Sequence, residues 1–361
     1  MQDTDGKNNK MIPGKWNILM RTRGENLFLL REALYSVAIQ DYPNRSVILL
    51  YHPEDDASQK SVRSMETRLK ELCKRIEHML EVKLVTSHAK VTTRSTPLNA
   101  GLQNLDGEFV SFLDYDDIFY PSMGTVLIGA LEEDKELRIA YGNSMIVRQA
   151  RVPLTYSDSE DTHSKKHTYL YNQFIFKGYG EEFNKLKFLF DNYIPFNTYV
   201  LRIDQNFDAT FDERLDIAED WDFLLNLIYD KKFPIKYVDF NVSEYRQRND
   251  LTHSFRTYTK KRRRRSRKLI YKKIHDHEYL ISGHDVNETR SHFMPEQDPE
   301  DQVPTPQTSY TIGFAIRIIK SYLIWKIKNA KRILTRKGPV YFMRIILYKV
   351  TKYISKINPF K

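Results

Sequence analysis

Short apolar runs alternate with helix-length amphipathic stretches over roughly the first 150 residues of the chain. Residues 16–20, 47–51, 82–85, 109–113 and 139–147 are strand-length and rich in Val, Ile, Leu and Phe. Between them, 26–39, 59–80, 97–105 and 121–132 read as helices. In the first of these, Leu27, Leu30, Leu34, Val37 and Ala38 recur at helical spacing. Such alternation predicts an α/β fold with a mostly parallel sheet flanked by helices, because parallel neighbours need a long crossover and a helix supplies it. Ligands of such sheets bind beyond the carboxyl ends of the strands. The residues that follow each strand are therefore the ones to inspect for chemistry.

The fourth run ends on Asp114-Tyr115-Asp116-Asp117. In extended chain Asp114 and Asp116 fall on one side. Converging carboxylates suit a hard divalent ion such as Mg²⁺ or Mn²⁺, and equally suit a turn with an acidic cap. A second acidic segment spans 216–222, where Ile217, Trp221, Leu225 and Ile228 form a helical apolar stripe. Glu219 and Asp220 stand at its start, where the helix dipole favours the ionised form. That placement fits a general base and also a plain helix-stabilising acid. A third feature is Tyr245-Arg246-Gln247-Arg248, followed by His253. Paired arginines clamp phosphate oxygens, and His253 is a metal ligand or a solvated side chain. In the 186–201 segment, Phe188, Phe190, Tyr193, Phe196 and Tyr199 suit either a core or a sugar-stacking surface.

Taken in order, residues 16–23, Asn99-Ala100-Gly101-Leu102, GEFVSFLDYDD at 107–117, Tyr141-Gly142-Asn143 and Glu219-Asp220 resemble the family 2 glycosyltransferases. The likeness covers about residues 15–255 and is carried most strongly by the Asn-x-Gly, Gly-Glu, Leu-Asp-x-Asp-Asp and Glu-Asp elements. It implies a GT-A fold and an inverting transfer, of hexosyltransferase type, from a nucleotide-sugar donor to a saccharide or lipid-linked acceptor. It further implies that Arg21, Thr22, Arg23 and Arg94 contact the donor. Asp114 would meet the ribose or the sugar, and Asp116 a bridging Mn²⁺ or Mg²⁺. Arg246 and Arg248 would face the leaving diphosphate, His253 would complete the metal shell, and Asp220 would be the catalytic base. One departure follows the second strand. There His52-Pro53-Glu54-Asp55-Asp56 replaces the family's usual Asp-Asp-Gly-Ser type turn, and Asn143 stands where an Asp is frequent. A non-catalytic GT-A-like binding module is the alternative reading.

The net charge of +10 is unevenly spread. Residues 1–255 hold 32 basic and 39 acidic residues, and 256–273 hold 11 basic and none acidic. Residues 274–309 hold one basic and eight acidic, and 310–361 hold 13 basic and none acidic. Three parts are expected: a catalytic domain over 1–255, a basic helix with an acidic Pro-containing linker over 256–309, and a basic amphipathic tail over 310–361. The tail carries two apolar stripes, Ile316 to Leu334 and Met343 to Ile357, with Lys and Arg largely off them. That pattern predicts an in-plane anchor on an anionic membrane surface, with docking on protein as the competing outcome. Lys260–Arg265 could hold nucleic acid, but no nucleic-acid motif accompanies it, so none is expected. The single cysteine, Cys73, excludes a disulfide framework or a cysteine-based zinc cluster. No stretch reads as a signal or a spanning helix. The expected location is cytoplasmic, peripheral at the inner face of the cell membrane, and the expected role is in surface polysaccharide or glycolipid synthesis.

Overall fold

The structure is a computed structural model that describes residues 11–293, except 55, 88–92, 155–166, 216 and 249–259. Its first half alternates as the sequence predicts: β1 (Ile12–Thr22), α1 (Leu27–Ala38), β2 (Arg45–Tyr51), α2 (Gln59–Ile76), β3 (Glu81–Thr86), α3 (Ser95–Leu102) and β4 (Gly107–Asp114). After β4 come β5 (Ile118–Phe119), α4 (Met123–Glu133), β6 (Ile139–Leu154), β7 (His167–Tyr179), α5 (Lys185–Phe188) and β8 (Tyr199–Arg202). The second acidic segment gives α6 (Glu219–Leu225), continued by one π-helical turn (Asn226–Asp230). The described chain ends with β9 (Ile235–Arg248), α7 (Lys260–His275) and α8 (Gly283–Phe293).

Among the described residues the strands form one nine-stranded sheet in the order β3-β2-β1-β4-β8-β6-β9-β5, with β7 on β6. The pairings among β3, β2, β1 and β4 are all parallel. Beyond β4 the sheet is mixed: β8 runs antiparallel to β4 and β6, whereas β9 runs parallel to β6. β6 extends past the expected end to Leu154 and forms a long antiparallel pair with β7.

The central strands are buried on both faces, which explains why they read as continuous apolar runs rather than alternating ones. Trp16, Ile18 and Met20 of β1 point into one core with Val47, Leu49, Phe109 and Leu113, covered by α1, α2 and α4. Leu19, Ile48, Leu50, Val110 and Phe112 point into the opposite core, covered by α3, α5, α6 and Ile270 of α7. Local chemistry starts the helices. The Asn26 side chain caps α1 by accepting from the backbone N–H of Phe28 and Leu29, at 3.1 and 3.2 Å.

α7 and α8 pack on the body, and Met1–Phe293 behaves as one compact unit. Lys273 of α7 donates to Asp222 at 2.8 and 2.7 Å, and Asp285 of α8 accepts from the Lys185 N–H at 3.0 Å. Among the described residues no helix is long and apolar enough to cross a membrane. His253, the linker 296–307 and both tail stripes lie outside the described residues.

Candidate active site

Of the predicted residues, Arg21, Arg94, Asp114 and Asp220 come together at the carboxyl edge of the parallel strands. Arg21 at the end of β1 is the direct partner of Asp114 at the end of β4. Their side chains pair, with Nε to Oδ1 at 2.5 Å and Nη2 to Oδ2 at 3.2 Å. Arg94, just before α3, reaches Asp114 Oδ2 at 3.3 Å. Both arginines also donate to Oε1 of Glu219, each at 2.8 Å. Two cations and two anions thus close a ring that joins β1, β4, the start of α3 and the start of α6. Burial pushes both carboxyls up, but the two guanidinium charges outweigh it and hold Asp114 and Glu219 below the usual range. The Arg21 guanidinium also lies over the Phe196 ring, 5.2 Å from its centroid.

A cavity of about 320 Å³ opens over this ring, near the lower end of the ~300–1,000 Å³ typical of ligand sites. Arg21, Arg94, Asp114, Glu219 and Asp220 all line it. Asp220 accepts from Asn192 Nδ2 at 3.1 Å. Burial first, and then the Glu219 charge, push its carboxyl up to about 6. A carboxylate held near neutral pH can take a proton as a general base. Its placement depends on Ala218, which precedes α6 with φ 62°. A left-handed non-Gly residue there turns the chain sharply just before Glu219, which meets the arginines, and Asp220, which meets Asn192.

The rest of the Asp114–Asp117 segment is divided in its contacts. Arg248, itself buried, donates to Asp116 Oδ2. Asp117 is buried; its Oδ1 accepts from the Arg246 N–H at 2.8 Å and its Oδ2 from Asn197 Nδ2 at 3.2 Å. Burial, and then the Asp116 charge, raise the Asp117 carboxyl well above the ordinary value. Asp117 therefore ties β4 to β9. The Arg246 guanidinium turns away from the cavity to Glu244 and Glu32, both at 3.0 Å. Thr22 is buried, and its Oγ1 accepts from the Gly24 N–H at 3.0 Å. Arg23 reaches Glu54 at 2.8 Å and the His52 ring at 3.3 Å, in the departing turn after β2.

Asn99 of the Asn-Ala-Gly-Leu segment fixes the chain that leads to α6. It accepts from the Phe211 N–H at 2.8 Å and donates to the Phe211 carbonyl at 3.0 Å. Among the aromatics of 186–201, Phe188, Tyr193, Phe196 and Tyr199 are buried in the core, and Phe190 is exposed. Phe196 also lines the cavity.

Several residues of the site have contacts outside the sequence expectations. Glu219 reads in sequence as a helix-start acid and part of the Glu-Asp element, whereas it is the shared acceptor of two arginines. Asn192 carries no sequence signal at all. Arg263 and Arg267 of α7 line the cavity. The spacing of buried Ser266 and Ile270 could have disclosed that α7 has an inward face.

Among the described residues no three His, Cys, Asp or Glu side chains converge to hold a metal by themselves. Asp116, a hard oxygen donor at the strand end, fits the usual Mg²⁺ arrangement, in which one or two carboxylates act with substrate phosphates.

Residues 18–202 match the model of the family described as Glycosyl transferase family 2. The chain belongs to this family. As a family 2 member it is a glycosyltransferase, with the mixed α/β fold of the GT-A type. Glu219 and Asp220 lie after the matched residues. Among solved structures it is similar to S. aureus TarS 1-349 in complex with UDP-GlcNAc, with 18% identity over 75% of this chain and 69% of that one, TM-score 0.47. It is also similar to the mannosyltransferase PcManGT from Pyrobaculum calidifontis in complex with GDP-Man and Mn²⁺, with 13% identity over 88% of this chain and 84% of that one, TM-score 0.49. A search of curated proteins gave no match.

Proposed function

We propose that this glycosyltransferase moves a hexose from a nucleoside-diphosphate donor to an acceptor hydroxyl with inversion at the anomeric carbon. The observation that carries the reading is Asp220, a carboxylate raised to about 6, lining the same cavity as Asp114 and Arg21. Asp220 takes the proton of the acceptor hydroxyl as that oxygen bonds to the anomeric carbon. The bond from that carbon to the diphosphate breaks, and its electron pair leaves with the nucleoside diphosphate. A single displacement of this kind inverts the centre.

The other residues act by binding and orientation. Arg21, Arg94 and Asp114 form a rigid edge for the donor, because each arginine is held by both Asp114 and Glu219. Thr22 and Arg23 extend that edge toward Glu54 and His52, the side on which a nucleobase would lie. Arg248 supplies positive charge beside Asp116, where the diphosphate would sit, and Arg246 supports that strand end. Asp116, with His253 beyond the described residues, would hold Mn²⁺ or Mg²⁺. When bound, the ion would neutralise charge on the departing diphosphate.

The two basic apolar stripes of the tail support a site of action at the inner face of the cell membrane, on a saccharide or lipid-linked acceptor of surface polysaccharide or glycolipid synthesis. The decisive test is Asp220→Asn. Its turnover should fall by roughly 10²–10⁴-fold, while affinity for the nucleotide, measured by calorimetry, stays within about twofold. Unchanged turnover would remove Asp220 as the base.

A further inference from the structure

The basic helix α7 has two sides with different duties. Its inward side carries Ser266 and Ile270, both buried, and Lys273, which pairs with Asp222 at 2.7 Å and Asp212 at 2.8 Å. Tyr271 meets Trp221 edge to face, with centroids 6.3 Å apart. These contacts bind α7 to α6, the helix that carries Asp220. Arg263, Ser266 and Arg267 then line the cavity beside the base.

Arg21, Arg94, Asp114 and Glu219 satisfy one another within the ring. Asp116 and Arg248, assigned above to the donor diphosphate, are not among the lining residues. The arginines of α7 line the same cavity as Asp220, on a helix packed against α6. Asn197 also lines the cavity; it is buried, and its Oδ1 has no hydrogen-bond partner.

We propose that the acceptor of this enzyme bears a phosphate group close to the hydroxyl that is glycosylated, and that Arg263, Ser266 and Arg267 bind it. Guanidinium forks match phosphate oxygens, and the seryl hydroxyl adds a neutral donor. The proposal rests on Asp220 as the base, and the turnover of Asp220→Asn tests that premise separately.

The experiment titrates the full chain with glycerol 3-phosphate, glycerol, UDP and GDP, read by ligand-detected NMR and calorimetry. Glycerol 3-phosphate should bind at least about tenfold more tightly than glycerol, and R263Q/R267Q should lose at least about tenfold of that affinity. The nucleotide affinities should stay within about twofold. R264Q/R265Q removes the same charge from exposed positions and should leave glycerol 3-phosphate binding within about twofold. R263K/R267K, which keeps the charge, should retain most of the binding and checks that the helix is still seated. Three results would each overturn the proposal. The first is equal binding of glycerol and its phosphate. The second is parallel loss of UDP or GDP affinity in R263Q/R267Q, which would give these arginines to the donor. The third is equal loss in R264Q/R265Q, which would reduce the effect to a diffuse field.

Discussion

Arg21 and Asp114 end neighbouring parallel strands as direct register partners, and their side chains close an ion pair at 2.5 Å across that register. The sheet itself thus sets the site's geometry. A one-residue slip of β1 against β4 would turn one of these side chains to the opposite face. The pair is completed by Glu219 from a distant helix, so the edge of the sheet and the base-bearing segment are fixed by the same two arginines.

The first prediction concerns pH. As the proposed base, Asp220 would act only when ionised, so the turnover rate should fall as pH drops through about 6. Glu219 is one of the charges that raise it, and Glu219→Gln removes that charge. The midpoint of the pH–rate profile should therefore move down, so that the remaining activity persists to lower pH. The same variant strips Arg21 and Arg94 of a buried counter-charge and should cost about 3–5 kcal/mol of stability by chemical denaturation. A midpoint that stays in place would separate Glu219 from the base.

The second concerns the ion. Asp116→Asn should weaken UDP or GDP binding in Mn²⁺ by at least about tenfold, the size expected when even an outer-shell partner of a metal site is lost. Binding in EDTA should be the same for both proteins. Calorimetric titrations with and without Mn²⁺ read both effects, and an unchanged Mn²⁺ dependence would exclude Asp116 as the ligand.

The third concerns Gly107, which opens β4. A Cβ there would lie 2.5 Å from the Lys15 carbonyl and 2.9 Å from Asn17 Oδ1. Neither can yield freely, because Asn17 Oδ1 accepts from the N–H of Gly107 itself at 2.6 Å. Gly107→Ala should destabilise the fold by about 1–3 kcal/mol, measured as a shift in the denaturation midpoint with an unchanged slope.

The fourth concerns the tail. A chain ending at Pro304 keeps the compact unit that closes at Phe293. It should give the same near-ultraviolet circular dichroism as the full chain and should no longer sediment with anionic vesicles at low salt. Continued sedimentation would place the membrane contact elsewhere.

The sequence carried the strands, the first helices and the carboxylates at 114, 116 and 220, because each is a local pattern: an apolar run, a periodicity or an acid at an element's end. What it did not carry is which charges answer one another. Glu219 reads as a helix-start acid until its two arginines are brought in from β1 and the start of α3. Asp117 reads as one more acid of a cluster, although it holds β9 and Asn197. The sign of the basic block at 260–265 was legible, but its use was not. A run of arginines looks alike whichever side faces protein, and the contacts of Ser266, Ile270, Tyr271 and Lys273 fix the orientation of α7. The mixed half of the sheet escaped for the same reason, since β8 and β9 insert beside strands far away in sequence.

Arg21 and Glu219 are 198 positions apart, and during synthesis at about 5–20 residues per second the first precedes the second by roughly 10–40 s. Arg94 also comes first. The acid that must be buried is therefore made only after both of its counter-cations, and it never has to enter the interior alone, where an unpaired charge costs several kcal/mol. A ribosome-bound chain that has passed β4 but not α6 carries Arg21, Arg94 and Asp114, yet it lacks both Glu219 and the proposed base.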